Sequence, residues 1–376
     1  MIVVEVLAVR GGDCLWIEWE DLPGGRRRRM LVDGGPGGAK SFPPALKERF
    51  DRQPESERDF ELVVCTHIDD DHIGGLLALL TSPPPGFSAR EVWFNSMRHL
   101  DLARDVLGPR SGAHFERLLT DSSIPWNVSA DGGAIVVPDD GAPPVFELPG
   151  LSVTLLSPTR DGLRRLADVV RGKWPKETGG PGEKAADTLG GRHPAAVPWR
   201  RLAAAQYTPD SSKANDSSVA FCLEHADGSR VLCGADAHAE TLVRSLHRLQ
   251  SSGRYRVDLC KLPHHGSAGN VSPAFVDALD CGHWLVSTEG GHVIRASSSE
   301  SAYRQNEGRN PSMRAMARIF VDAPRPPTFW FNHRGDSTER YEQIAEDYGF
   351  RVRYPDSPGG IAVEVRAGRV SRAKRP

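Results

Sequence analysis

The chain of 376 residues has only six cysteines, and no two of them form a C-x-x-C pair. Cys14, Cys65, Cys222, Cys233, Cys260 and Cys281 are scattered, several inside apolar runs such as "VAFCLEH" and "VDLCKLP". That pattern excludes a disulfide framework or zinc knuckle and predicts buried thiols in a reducing cytoplasm. An excess of charge is also missing, since 47 Lys and Arg face 49 Asp and Glu, a formal net charge of −2. The totals therefore exclude a basic nucleic-acid arm and a disordered acidic protein, which leaves local charge to decide. No run approaches the roughly 18 apolar residues of a membrane span. The opening "MIVVEVLAVRGGD" has no basic segment before its apolar run and no small-residue cleavage site after it, so it reads as a strand rather than a signal peptide. No repeat or low-complexity linker divides the chain, and one domain over residues 1–376 is expected.

What the sequence does have is a charged cluster in an apolar setting: "VVCTHIDDDHIGGLLALL", residues 63–80. "FELVVCTH" is a near-continuous apolar run, as a strand buried on both faces requires, and "IGGLLALLTS" changes to helical spacing. On an extended segment leaving a strand, His67, Asp69 and Asp71 at i, i+2 and i+4 point to one side while Asp70 faces away and caps the helix. His72 follows where the chain turns, and Gly74 and Gly75 let backbone pass close beneath. Aspartates crowded at a buried strand end repel one another unless cations compensate them. Imidazole with carboxylate suits zinc, manganese or iron(II), and two such ions need more ligands than this loop supplies. Further candidates stand at other strand ends, Asp236 in "LCGADAH" and His264 with His265 in "KLPHHGS".

Elsewhere, residues 2–20 and 29–33 read as strands around the turn "EDLPGGRRRR", and "EVWFNS", "LSVTLLSP", "HWLVST", "TFWFN" and "GIAVEV" as further strands. "SSVAFCLEHADGSRVLCGAD" is a hairpin with an Asp-Gly turn. Helices are expected near 238–251, 311–320 and 337–348. Residues 159–214 form a basic, Gly- and Pro-rich insertion expected to lie over the candidate site as a mobile lid, and 366–376 a short basic tail.

"THIDDDHIGG" resembles the H-x-H-x-D-H motif of the metallo-β-lactamase superfamily with Asp69 in place of the second histidine, the form found in the nuclease-like domain of the ComEC competence proteins. "VEVLAVRGGDCLWIEW", "LVDGGPGG", "NDSSVAFCLEHADGSRVLCGAD" and "KLPHHGS" resemble that group's other motifs, so the likeness runs from residue 1 to about 290. Beyond that, the family's short His-Pro segment has no counterpart other than "GGHVIR" and "GRNPSM". The resemblance implies an αββα sandwich, two mixed β-sheets flanked by helices, with two divalent ions, zinc or manganese, at one edge. It implies His67 and Asp69 on the first ion, Asp71 and His72 on the second, Asp236 bridging, and His264 completing the second. His265 is then a supporting partner or proton donor. Asn215 falls where many members carry a metal-binding histidine, Asp33 in the Asp-Gly turn that supports the metal loop, and Asp13 in "GGDC" near the active site. His238 follows the Gly-Ala-Asp turn closely enough to back a ligand. His99, His114 and His247 lie in helical contexts and read as surface or half-buried residues.

The implied chemistry is phosphodiester hydrolysis by a hydroxide bridging the ions, positioned by Asp71, with His265 or a water protonating the leaving oxygen. Arg26 to Arg29, the insertion and the tail are candidate phosphate contacts for a nucleic-acid or nucleotide substrate. The same hydroxide could open a lactone or thioester, and a non-catalytic module could keep the metal for folding.

Overall fold

The computed structural model describes residues 1–9, 11–38, 42–100, 110–170, 199–288 and 310–374. Two sheets form its centre. The first has seven strands, in chain order β1 (Ile2–Leu7), β2 (Leu15–Glu20), β3 (Arg27–Val32), β4 (Leu62–Val64), β5 (Val92–Trp93), and, near the end of the chain, Gly360–Arg366 and Arg369–Arg372. The second has eight and is built on Val145–Leu148, Leu151–Ser157, Ala220–His225, Arg230–Cys233, Leu259–Lys261, His283–Val286, Thr328–Phe331 and Arg351–Arg353.

Side-chain alternation decides which face meets which layer. In "LWIEWE", Leu15, Ile17 and Trp19 join Val153, Leu155, Phe221 and Val231 between the sheets. Trp16, one residue out of phase, turns to the outer layer and packs edge-on against Phe50 and Phe60 at centroid distances of 5.2 and 4.9 Å. That outer layer holds the helices Pro44–Arg52, Asp70–Thr81 and Arg110–Asp121. The helices Ala239–Leu249, Pro273–Asp277 and Met313–Asp322 cover the outer face of the second sheet. The result is the αββα sandwich expected. All six cysteines are buried and unpaired, and among the described residues no helix is long and apolar enough to cross a membrane.

Several local expectations are corrected. The 159–214 segment is not one loop, because helices Arg160–Val170, Trp199–Ala203 and Lys213–Asp216 occupy its described parts; residues 171–198, with Arg171, Lys173, Lys176, Lys184 and Arg192, lie outside the described residues, as does His292. The basic tail is in fact the edge strand Arg369–Arg372, antiparallel to Gly360–Arg366. Arg26 to Arg29 sit at the start of β3, whose other end carries Asp33, and all four are paired: Arg26 with Asp59, Arg27 with Glu18, Arg28 with Asp21 and Glu61, Arg29 with Glu18, Glu57 and Asp59. At roughly 3.3 Å per strand residue they lie about 20 Å from the candidate site, where they serve the fold.

Candidate metal centre

Strands β3 and β4 run parallel, as do Arg230–Cys233 and Leu259–Lys261, so Asp33, the 65–71 loop, Asp236 and the His264–His265 pair leave their strands at one end of the sandwich. This is where ligands collect in parallel sheets. Close backbone approach makes the edge compact. A Cβ on Gly75 would lie 2.1 Å from the carbonyl oxygen of Gly34, and one on Gly12 would lie 1.6 Å from that of Asp71. Glycine is required at both positions and at Gly74 as well, where a Cβ would lie 2.4 Å from the backbone nitrogen of Gly37, which gives the Gly74–Gly75 pair its physical reason.

Asp33 organises the metal loop. It sits at φ 56° and accepts from the backbone N–H of Thr66 at 2.8 Å and from the Thr66 hydroxyl at 2.7 Å. His72 Nδ1 lies 2.8 Å from its second oxygen. Because the single hydroxyl proton of Thr66 goes to Asp33, the 2.9 Å contact between Thr66 Oγ1 and His67 Nδ1 needs the ring to donate. Both rings therefore present Nε2 to the same space, and both Nε2 atoms are buried without a hydrogen-bond partner. Buried polar atoms are rarely left so.

Asp236 is the hub opposite them. Its Oδ2 lies 3.4 Å from His72 Nε2 and 3.7 Å from His264 Nε2, and its Oδ1 lies 3.7 Å from His265 Nε2. His264 and His265 face it from left-handed backbone, φ 45° and 54°, an uncommon conformation for such side chains and a frequent mark of functional turns. Asp69 Oδ2 is 3.6 Å from His67 Nε2, and Asp71 Oδ2 is 3.9 Å from His72 Nε2. Ligand atoms of His67, His72 and Asp236 lie within 4.8 Å of one another, as do those of Asp71, His72 and His265, and those of Asp13, Asp236 and His265. His264 is in none of these sets.

The local electrostatics demand positive charge. Burial alone would raise the Asp236 carboxyl, but His72, His265 and His264 hold it well below the usual range. Burial would lower His72, yet Asp236 and Asp33 push it well up. His264, again opposed by burial, is pushed up to about 9 by Asp236 and Asp210. Protonated imidazoles thus compensate the carboxylates, a role that divalent cations fill with the same side chains. The unpartnered Nε2 atoms and the carboxylate hub fit a metal centre.

Asp70 points elsewhere. Asp69, not Asp70, is the N-cap of Asp70–Thr81, with its carboxylate free of any capping bond; Asp70 accepts from Ser111 Oγ at 2.5 Å and ties two helices together. Asp71 is already in the first helical turn, so helix geometry rather than strand alternation aims it. Asn215 donates from Nδ2 to Asp210 at 2.7 Å and keeps a buried, unpartnered Oδ1. His238, the residue before helix Ala239–Leu249, stands 3.4 Å from Asp216 and 3.9 Å from Asp210. His99 packs edge-on against Trp126 and His333 is exposed.

Sequence reasoning missed three supporting residues. Asp210 and Asn270 both contact His264 Nδ1, at 3.4 and 2.9 Å. Lys261 is fully buried and ion-paired to Asp13, whose other oxygen lies 3.4 Å from His265 Nδ1. Burial would lower the Lys261 ammonium, but Asp13 raises it. A lysine in the apolar run "DLCKLP" was one available signal; Asn270 follows His264 by six residues in a turn with no periodicity to aim it, and Asp210 is too distant from His264 in sequence to leave a signal.

Residues 8–166 match the Metallo-beta-lactamase superfamily. The matched segment is under half of the chain. The match contains Asp13, Asp33 and the His67–His72 loop, while Asp236 and the His264–His265 pair lie beyond it, on the second sheet. Together the matched segment and the His/Asp cluster fit a metal-dependent hydrolase. No curated protein matches the sequence. Among solved structures the chain is similar to the isothiocyanate hydrolase from Delia radicum gut bacteria (11% identity, 98% of this chain and 100% of that one, TM-score 0.39). It is also similar to a "possible metal-dependent hydrolase" from Veillonella parvula (11% identity, 97% and 99%, TM-score 0.41). A third is a metallo-beta-lactamase with a HARLDQ motif from Cronobacter sakazakii (11% identity, 67% and 71%, TM-score 0.27). At these identities and TM-scores none of the three bears on the substrate of this protein.

Proposed function

We propose that this protein is a phosphodiesterase, a nuclease in the first instance, working with two divalent ions, zinc or manganese. The observation that carries the metal reading is the convergence of buried, unpartnered imidazole nitrogens on the Asp236 carboxylate. His67, Asp69, Asp71, His72 and Asp236 would hold the ions, with His264 and His265 the histidines facing Asp236 from the second sheet. Bound there, the ions supply Lewis acidity, which generates hydroxide near neutral pH and offsets charge on a phosphoryl oxygen. A donor set on the 67–72 loop of two carboxylates and two imidazoles suits manganese as well as zinc.

The chain's own residues have distinct tasks in this reading. Asp33 and Thr66 fix the ring orientations of His72 and His67. Asp71, half-exposed at the helix start, orients the attacking water by accepting its proton-bearing side. His265, held toward Asp236 by its left-handed backbone, is placed to give a proton to the leaving oxygen. The phosphodiester choice rests on the likeness of "THIDDDHIGG", with Asp69 in place of the second histidine, to the ComEC nuclease-like domain, and on Arg98 and Arg160, which line one cavity near the same edge. The test is metal-loaded protein assayed on bis-p-nitrophenyl phosphate, single- and double-stranded DNA and RNA, beside a lactone and a thioester panel. Cleavage of a lactone or thioester with every phosphodiester untouched would sink the proposal.

A further inference from the structure

Many of the described arginines are tied to a carboxylate, and Arg98 and Arg160, near the metal edge, are among those that are not. Arg98 and Arg160 line one cavity of about 720 Å³ with His99 and the 132–134 backbone, and among the described residues neither has an ion-pair partner. Their neighbours differ: Arg164 pairs with Asp161 and Arg165 with Asp216.

The topology brings this cavity to the catalytic end of the sandwich. β5 runs parallel to β4, so Arg98, five residues past Trp93, leaves the sheet on the same side as the His67–Asp71 loop. Arg160 comes three residues after Ser157, which pairs with Ala220, and the neighbouring Val219 N–H donates to the carbonyl of Thr66 at 2.9 Å. Ile68, between His67 and Asp69, packs in the same apolar cluster as Phe94 and Trp126; Phe94 stacks on Trp126 at 6.3 Å, and the Arg98 guanidinium lies 3.7 Å from the centre of a Trp126 ring.

That stacking fixes the guanidinium plane before any ligand arrives, so little side-chain entropy remains to be lost when its fork engages an anion. Arg160 adds a second cation to the lining of the same cavity. Two unpaired guanidinium groups in one polar cavity match the charge and bidentate geometry of a phosphate. We propose that Arg98 and Arg160 form a subsite for a non-scissile phosphate of the substrate chain, which extends substrate recognition beyond the phosphate at the metal centre. The identity of the ligand rests on the phosphodiesterase reading, whereas the anion site itself does not.

The test therefore has a binding arm free of catalysis. Metal-stripped protein is titrated with pyrophosphate by calorimetry, and metal-loaded protein is assayed for KM on a single-stranded oligonucleotide. Each of Arg98→Ala and Arg160→Ala is expected to weaken pyrophosphate binding and raise KM about 10-fold, in line with loss of one charge-assisted hydrogen-bonded contact. Arg98→Lys, which keeps the charge and loses the fork, should fall between wild type and alanine. Arg160 is on the surface, so its variant reports on the site even where Arg98→Ala disturbs Trp126. Pyrophosphate binding that is absent, or equal in wild type and both alanine variants, overturns the subsite, as does an oligonucleotide KM unmoved in both. Arginine-dependent pyrophosphate binding in a protein that cleaves no phosphodiester keeps the subsite and removes the reading of the metal centre.

Discussion

The carboxylate of Asp33 and the imidazole of His72 meet at 2.8 Å with neither side chain exposed to solvent, and this contact sets which nitrogen of His72 faces Asp236. A carboxylate behind a ligating histidine fixes its tautomer and raises its basicity. Asp33→Asn should therefore lower metal affinity by about 10- to 100-fold while the fold survives, measured by chelator competition alongside circular dichroism. Unchanged affinity would mean that the His67–His72 loop holds its shape without the carboxylate.

Side-chain direction separates the three adjacent aspartates. Asp71→Ala and Asp236→Ala should each lose bound metal and activity. Asp70→Ala should keep both and lose only the Ser111 contact. Metal content by plasma emission spectrometry decides it, and equal loss in all three variants would contradict the separate facing of Asp70.

Glycine at position 12 stands against the carbonyl of Asp71. Gly12→Ala should push the start of the Asp70–Thr81 helix out of place, so that metal binding drops more than thermal stability does. Retention of full metal content in that variant would show that the approach can relax.

A pH effect follows from His264, whose pKa Asp236 and Asp210 raise, against the opposing effect of burial, from its ordinary value of 6.5 to about 9. A raised histidine stabilises the fold fully below its unfolded value and loses that contribution as pH climbs through its folded value. Chelator-treated protein should accordingly melt at progressively lower temperature from pH 6.5 to about 9, and His264→Gln should flatten that slope. A melting temperature that rises across this window in the wild type would reverse the sign and refute the account.

The Arg26–Arg29 run offers a contrast. Arg29, 2% exposed, is shared by Glu18, Glu57 and Asp59, and removing one member of a buried ion network leaves uncompensated charge. Arg29→Ala should cost about 3 kcal/mol in urea unfolding and leave the salt dependence of substrate binding unaltered.

The sequence by itself determined the layers and the metal loop. Alternation in "LWIEWE" assigns each side chain to the inter-sheet core or the outer layer, and "THIDDDHIGG" places carboxylates and imidazoles within six residues, too close to be neutral bystanders at a buried strand end. Local spacing carries that information because strand and helix periods are fixed by backbone geometry. It did not determine that Asp71 is aimed by a helix, that the arginine run is paired by its own chain, or that Asp210, Asn270 and Lys261 stand behind the His264–His265 pair. Several of those facts depend on contacts between segments tens to hundreds of residues apart, Lys261 with Asp13 and His264 with Asp210 among them, and only the packing of the two sheets brings such groups within reach of one another.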